Sequence, residues 1–395
     1  MATTTAQRHI ERGRLAVLTG GHAVDDLYQG AVPALLTFLV AERHYTYAAA
    51  TGITFAATFL SSVAQPGFGL LSDRHRLAWL APVGMATAGV GVGLSGVADG
   101  YGATFAAIAL SGLGVAAYHP AASRAARTAA GGSATGMSWF AVGGTLGFAL
   151  GPVLVTTVVG AAGLAATPVL AAPALLGAAV VGALARRPRT RAVAPPAPAA
   201  HRPVEDRRAF LVLTGVVICR SVAFFGVSSL LALHLTERFG VGRATGNAAL
   251  TVLFAAGAVA TLVGGRQADR RGRVPVVRTS HLLTLPGLVV LVAAPTVAVA
   301  QLAVVLLGFG LYLAFSVQVT LGQEYLPTRV GTASGVTLGL AVSVGGVLAP
   351  AWGALADATS LRTALAALVL FPVAGLLLTT RLPEPGRGGA VSGRA

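Results

Sequence analysis

Unbroken apolar runs of about twenty residues recur along this chain, the length an α-helix needs to cross the hydrocarbon core of a bilayer. No other feature constrains the fold as strongly. A membrane β-barrel would instead alternate polar and apolar positions over about ten residues per strand. Composition agrees with the helical alternative. With 55% hydrophobic residues, 10% charged residues and a mean hydropathy of +0.76, the 395 residues hold too little polar surface for a water-soluble domain. The 51 glycines fit helices packed closely in lipid, where small residues let backbones approach. The first run contains His22, Asp25 and Asp26 and is too long for the apolar core of a signal peptide. It is therefore expected to remain as the first helix.

The runs predict twelve spanning helices. Six lie at 15–40, 46–71, 77–97, 102–122, 134–158 and 161–185, and six more at 209–236, 243–267, 274–294, 298–322, 331–356 and 361–381. Segment 186–208, rich in Arg and Pro, cannot span and reads as a solvated linker. The expected organisation is an N-terminal tail 1–14, a lobe 15–185, the linker 186–208, a second lobe 209–381 and a C-terminal tail 382–395. A net charge of +15 is also found in nucleic-acid-binding proteins, but here all 28 basic residues are arginines, mostly in the short segments between runs. With the N-terminus inside, 23 of them face the cytoplasm, Arg43, Arg238, Arg243 and Arg362 face outward, and Arg220 is intramembrane. That asymmetry follows the positive-inside rule and places both termini in the cytoplasm, with no nucleic-acid partner.

The halves repeat in the same orientation. Gly69-Leu70-Leu71-Ser72-Asp73-Arg74 follows the second run and Gly265-Arg266-Gln267-Ala268-Asp269-Arg270 the eighth, with an offset of 196 between the two aspartates. An offset of 198 relates Gly151-Pro152 to Ala349-Pro350. Parallel six-helix repeats imply a two-lobed secondary transporter with its substrate site between the lobes near the midplane. No nucleophile with a base, no metal-type His or Cys spacing and no phosphate-cradling loop is visible, so neither enzyme activity nor a metal or cofactor is expected. Cys219, the one cysteine, can form no intrachain disulfide.

The two G-x-x-x-D-R segments resemble the loop signature of the major facilitator superfamily, and the second, with Gly272 and Arg273, is the fuller copy. In the first, Arg76 stands where the family usually has glycine. Further stretches resemble the fosmidomycin-resistance branch: His22 through Gly30, His119-Pro120 with Ser123-Arg124 and Ala126-Arg127, Arg220-Ser221 with Phe225-Gly226, and Gly322 through Pro327 with Arg329. Asp25 and Ala121 depart from the branch, which more often has an amide and an acid there. The resemblance spans almost everything outside the tails and linker. It implies an all-α membrane protein with twelve transmembrane helices in two six-helix lobes, the major facilitator fold, in a bacterial inner membrane. It also implies drug:proton antiport, with fosmidomycin, a small anionic phosphonate, as the branch's named substrate. Substrate, protons and lipid would then be the partners, and such a carrier can work as a monomer.

Individual residues sharpen this expectation. Asp25 and Asp26 lie about 17 Å into the first helix at 1.5 Å per residue, close to mid-bilayer. An intramembrane acid is costly and marks function or a permanent pair. His22, Asp26 and Gln29 share one helix face, which makes Asp26 the leading candidate for proton coupling, with His22 and Asp25 beside it. His22 is either a relay or a histidine bonded to a backbone carbonyl. Arg220 lies at matching depth on the seventh helix and is expected to approach Asp26 across the cavity. Protonating Asp26 would free its guanidinium fork for an anionic headgroup; a static interlobe salt bridge is the plainer alternative. Tyr28, Gln29 and His119 complete the substrate-binding candidates, and Tyr28, Phe140, Trp139 and Phe224 either line the cavity or are lipid-facing or core.

Asp73, Arg74, Arg124, Asp269, Arg270, Arg273, Glu324 and Arg329 are expected to form a cytoplasmic gate, because charged latches there can bias a balanced two-state equilibrium. Gly143, Gly147 and Gly151, every fourth residue before Pro152, make a smooth stripe that resembles the mark of superfamily antiporters and also serves plain packing. The rival within transport is a proton symporter importing a small organic anion.

Overall fold

The computed structural model describes residues 10–75, 77–131, 133–186 and 205–385, all of it helix and connecting turns. Twelve membrane-crossing elements follow in order: α1 Arg12–Arg43, α2 Tyr47–His75, α3 Leu80–Ser95, α4 Gly100–Ala129, α5 Ala134–Ala162 and α6 Leu164–Ala185, then α7 Arg207–Phe239, α8 Arg243–Arg271, α9 Arg273–Ala293, α10 Val297–Tyr325, α11 Val330–Ala358 and α12 Leu361–Thr379. Ten of them are long and apolar enough to span by themselves. The others depart for different reasons. α3 is apolar but only 16 residues long, and α1 has length to spare, 32 residues, but carries His22, Asp25 and Asp26 in its middle.

Most helices run past the apolar windows at one or both ends, since backbone hydrogen bonding continues where hydropathy ends. α1 begins at Arg12 and α2 reaches His75. Irregularities sit where the sequence places them. α6 opens with a 3-10 turn, Leu164–Ala171, containing Pro168. α12 breaks between Ala367 and Leu370, where Pro372 cannot donate to the preceding turn. α10 divides at Ala314. The linker lies outside the described residues from 187 to 204.

Within the first lobe α1 packs on α5 and α4 on both α2 and α3; in the second, α7 packs on α11 and α10 on both α8 and α9. The sequence stripe explains the tightest of these contacts. A Cβ at Gly143 would stand 2.2 Å from the Thr19 carbonyl oxygen, one at Gly147 2.2 Å from that of Ala23, and one at Gly151 2.5 Å from the Ala31 nitrogen. Three glycines on one face thus bring the backbone of α5 against that of α1.

The lobes meet chiefly through α2 with α11 and α5 with α8. Their contacts gather on the side away from the chain termini. There the Asp357 carboxylate at the end of α11 accepts from the Tyr47 and Ala48 amides at the start of α2, both at 2.8 Å. Arg243 pairs with Glu42 at 3.1 Å, Ser229 donates to Thr54 at 3.1 Å, and the Asn247 amide donates to Thr156 at 3.1 Å and to the Ala34 carbonyl at 3.3 Å. Toward the terminal side the pattern reverses. Gly67 and Gly69 of α2 and Gly331, Gly335 and Gly339 of α11 have nothing within 4 Å of where a Cβ would be, whereas Gly353 of α11 packs on Tyr47. The hydrogen bonds and ion pair between the lobes thus lie opposite the termini.

Candidate functional site

Burying a carboxylate in a bilayer helix demands partners. The fold supplies two histidines. Asp26 Oδ2 lies 3.3 Å from His22 Nε2, one turn earlier on α1, and Asp26 Oδ1 lies 3.2 Å from His119 Nε2 on α4. Gln29, three residues on, donates to Asp26 Oδ1 at 2.6 Å. Each imidazole is held from behind by a backbone carbonyl: His22 Nδ1 donates to Phe140 O at 2.8 Å and His119 Nδ1 to Val115 O at 2.9 Å. Phe140 also stacks on His22, with ring centroids 4.2 Å apart. Asp25 is fully buried behind them. Its Oδ2 is 3.6 Å from His119 Nδ1, and neither carboxyl oxygen has a hydrogen-bond partner among the described residues.

Three helices position this quartet. α1 provides His22, Asp25, Asp26 and Gln29 within two turns. α5 makes room: a Cβ at Gly144, one residue off the glycine stripe, would stand 2.4 Å from Asp26 Oδ2 and 2.7 Å from His22 Cε1. α4 swings His119 inward beside Pro120, where the helix cannot form its normal backbone bond. Sequence spacing alone hid the cluster, because His22 and His119 are on different helices. In the fold the ligand-capable atoms of His22, Asp26 and His119 lie within 4.8 Å of one another, near enough for one small cation to bridge; the smallest such cation is a proton.

The second lobe carries the opposite charge. Arg220 on α7 is buried, donates through Nε to Gln318 Oε1 at 3.0 Å and through an Nη to Leu311 O at 3.3 Å, and lies 5.1 Å from the Phe315 ring centroid. It has no carboxylate partner among the described residues. This corrects the expected pair: Asp26 does not meet Arg220 here, because both of its oxygens are already held by His22, His119 and Gln29. Tyr312 on α10 packs edge-on against Phe224, with ring centroids 5.4 Å apart. Gln318 and Tyr312 went unnoticed in the sequence, since a lone Gln or Tyr in an apolar run carries no periodic or motif signal.

Other candidates fall into place or out of it. Tyr28 is buried, donating to Leu170 O at 2.7 Å and accepting from Ala174 N at 2.9 Å, so its hydroxyl ties α1 to α6. His119 lies against Asp25 and Asp26. Trp139 is exposed. Among gate residues, Arg273 pairs with Glu324 at 2.7 Å and Arg329 with Glu205 at 3.4 Å, linking elements of the second lobe to each other. Hydrogen bonds from the Thr328 hydroxyl and Arg207 hold the Glu205 carboxyl below its ordinary range. Arg124 lines a small recess with Arg14 and Ser72. Asp269 and Arg270 make no hydrogen bond or ion pair among the described residues, and the side chains of Asp73 and Arg74 lie outside those described. Glu384, absent from the sequence expectations, accepts from the Arg273 and Val274 amides at 2.6 and 2.8 Å and caps the start of α9.

The sequence pattern of the Major Facilitator Superfamily matches residues 20–350. The chain is 30% identical over 391 residues to the fosmidomycin resistance protein of Escherichia coli (strain K12), covering 97% of this chain and 96% of that one. It is 29% identical over 369 residues to YfnC, an uncharacterized MFS-type transporter of Bacillus subtilis (strain 168), covering 90% and 89%. Among solved structures it superposes on a bacterial homolog of the human lysosomal transporter Spinster, inward-facing and occupied, with a TM-score of 0.79 at 14% identity over 93% of this chain and 96% of that one. A D-xylose-proton symporter gives a TM-score of 0.70 at 13% identity over 95% and 98%.

Proposed function

Because the chain belongs to the Major Facilitator Superfamily of membrane transporters, we propose that it exports a small anionic molecule, a drug or metabolite of the fosmidomycin type, in exchange for protons. Thirty per cent identity to a fosmidomycin resistance protein across nearly the full length supports the direction and the substrate class. The arginine asymmetry supports a bacterial inner-membrane orientation with the termini and the linker in the cytoplasm. In that orientation the interlobe hydrogen bonds lie on the outer side, which supports an inward-open state.

The separation of charge between the lobes carries the proposal: proton-accepting acids and histidines in the first, and in the second a buried arginine with no counter-acid among the described residues. Arg220 offers its fork to a phosphonate or carboxylate, with Gln318 and the Leu311 carbonyl fixing its plane. A cluster that gives protons to the cytoplasm as the anion binds, then reloads from outside as the anion leaves, couples the two fluxes without direct contact between Asp26 and Arg220. The far-side latches, Asp357 of α11 with the Tyr47 and Ala48 amides of α2 and Glu42 with Arg243, must part for the outward-open state. A monomer contains every group this cycle uses.

Accumulation of labelled fosmidomycin in cells lacking their own exporters tests the proposal. Lower accumulation with the protein present, restored by an uncoupler, is expected. Accumulation unchanged by the protein would remove fosmidomycin-type export as its function.

A further inference from the structure

The geometry points to a binding site for one divalent transition-metal ion of the zinc class, formed by His22 and Asp26 of α1 and His119 of α4. The ligand atoms are already gathered. His22 Nε2 lies 3.3 Å from Asp26 Oδ2 and His119 Nε2 lies 3.2 Å from Asp26 Oδ1, and the three groups offer ligand atoms within 4.8 Å of one another. Around a tetrahedral zinc ion with bonds of about 2.0–2.1 Å, neighbouring ligands stand about 3.3 Å apart. The two imidazoles are nearly perpendicular, at 81°, with ring centroids 5.3 Å apart.

The surroundings are those of a ligand shell. A metal-bound imidazole is held from behind, its second nitrogen donating to a carbonyl or carboxylate. Nδ1 of His22 donates to Phe140 O at 2.8 Å and Nδ1 of His119 to Val115 O at 2.9 Å, which leaves Nε2 of each ring facing Asp26. Room is present as well. The Cβ that Gly144 lacks would stand 2.4 Å from Asp26 Oδ2 and 2.8 Å from His22 Nε2, so α5 leaves space against those two ligand atoms that a side chain would fill. Charge agrees. Asp25 is fully buried beside His119, neither of its carboxyl oxygens has a hydrogen-bond partner among the described residues, and two carboxylates match one divalent ion. Two imidazoles and a carboxylate suit zinc, cobalt or nickel, whereas magnesium and calcium take oxygen ligands. Three protein ligands leave a fourth position for water.

An ion held there joins α1 to α4 and occupies the groups through which the proton-coupled reading above moves protons, so added zinc should inhibit export. Binding itself is measured without any substrate. Untagged full-length protein in lipid nanodiscs is titrated with zinc and, for its visible spectrum, with cobalt. One ion per chain is expected, bound at least about tenfold more weakly in His22→Gln and His119→Gln. Gly144→Ala keeps every ligand but fills the space, and should weaken binding by about as much. Zinc-edge X-ray absorption of the wild-type protein, which needs no variant, should show two imidazoles and one carboxylate at about 2.0–2.2 Å. Failure to bind one ion per chain, affinity unchanged in all three variants, or a bound ion without imidazole neighbours overturns the site. Cells that fail to export fosmidomycin would sink the transport reading and leave the metal site standing; protein that exports but binds no zinc would do the reverse.

Discussion

Gly144→Ala isolates the proton site from the helix packing around it. The added Cβ would stand 2.4 Å from Asp26 Oδ2, where a carbon and an oxygen normally keep about 3.3 Å. Relief requires the carboxylate to retreat by about 1 Å, which carries the 3.3 Å contact to His22 beyond hydrogen-bond range. A hydrogen bond to a charged group contributes about 1.5–3 kcal/mol. At about 1.4 kcal/mol per factor of ten, proton loading should weaken roughly 10- to 150-fold. The neighbouring Gly147→Ala serves as the control for packing, because its Cβ would meet the Ala23 carbonyl oxygen on the α1 backbone and nothing in the quartet. Uncoupler-sensitive fosmidomycin export, read beside the melting temperature in detergent, separates the two. Gly144→Ala should keep its fold and lose proton-dependent export; Gly147→Ala should lose stability first. Wild-type proton-dependent export from a folded Gly144→Ala variant would refute the placement of the proton site.

Arg220→Gln should reduce export of an anionic substrate at least a hundredfold without loss of fold, and Arg220→Lys should restore only part of it, as resistance assays in fosmidomycin would show; equal activity of both with the wild type would remove Arg220 from the substrate site. Asp357→Ala deprives the Tyr47 and Ala48 amides of their acceptor. At about 1 kcal/mol for a helix cap, the far-side-closed population should fall about fivefold, measured by spin-label distances across that face. Glu384→Ala uncaps α9 and should speed amide exchange in its first turn, at a cost of about 1 kcal/mol.

Hydropathy made the twelve helices legible because a bilayer permits few alternatives to a long apolar run, and α1 could be recognised despite its acids because its run is too long for a signal peptide. The face shared by His22, Asp26 and Gln29 was readable from helical periodicity, and so was the glycine stripe, now seen to bind α5 to α1. Periodicity cannot report which helices converge. It set His119 among the substrate-binding candidates without showing that the α1–α4 packing brings it onto Asp26, and it paired Asp26 with Arg220 by depth alone. Equal depth does not give contact when one partner is already satisfied by near neighbours. Tyr28 illustrates the same limit, since a tyrosine beside two acids invited a cavity role, whereas its hydroxyl satisfies backbone groups at the irregular start of α6.

Proton movement through the Asp26 cluster is proposed to drive the anion. Purified protein in liposomes, loaded with labelled fosmidomycin and given an imposed proton gradient, tests it most directly. The account predicts movement of fosmidomycin against its own gradient, opposite to the protons, that disappears in Asp26→Asn while binding of the label persists. Gradient-driven movement of the same rate in Asp26→Asn, or movement indifferent to the proton gradient, would contradict it.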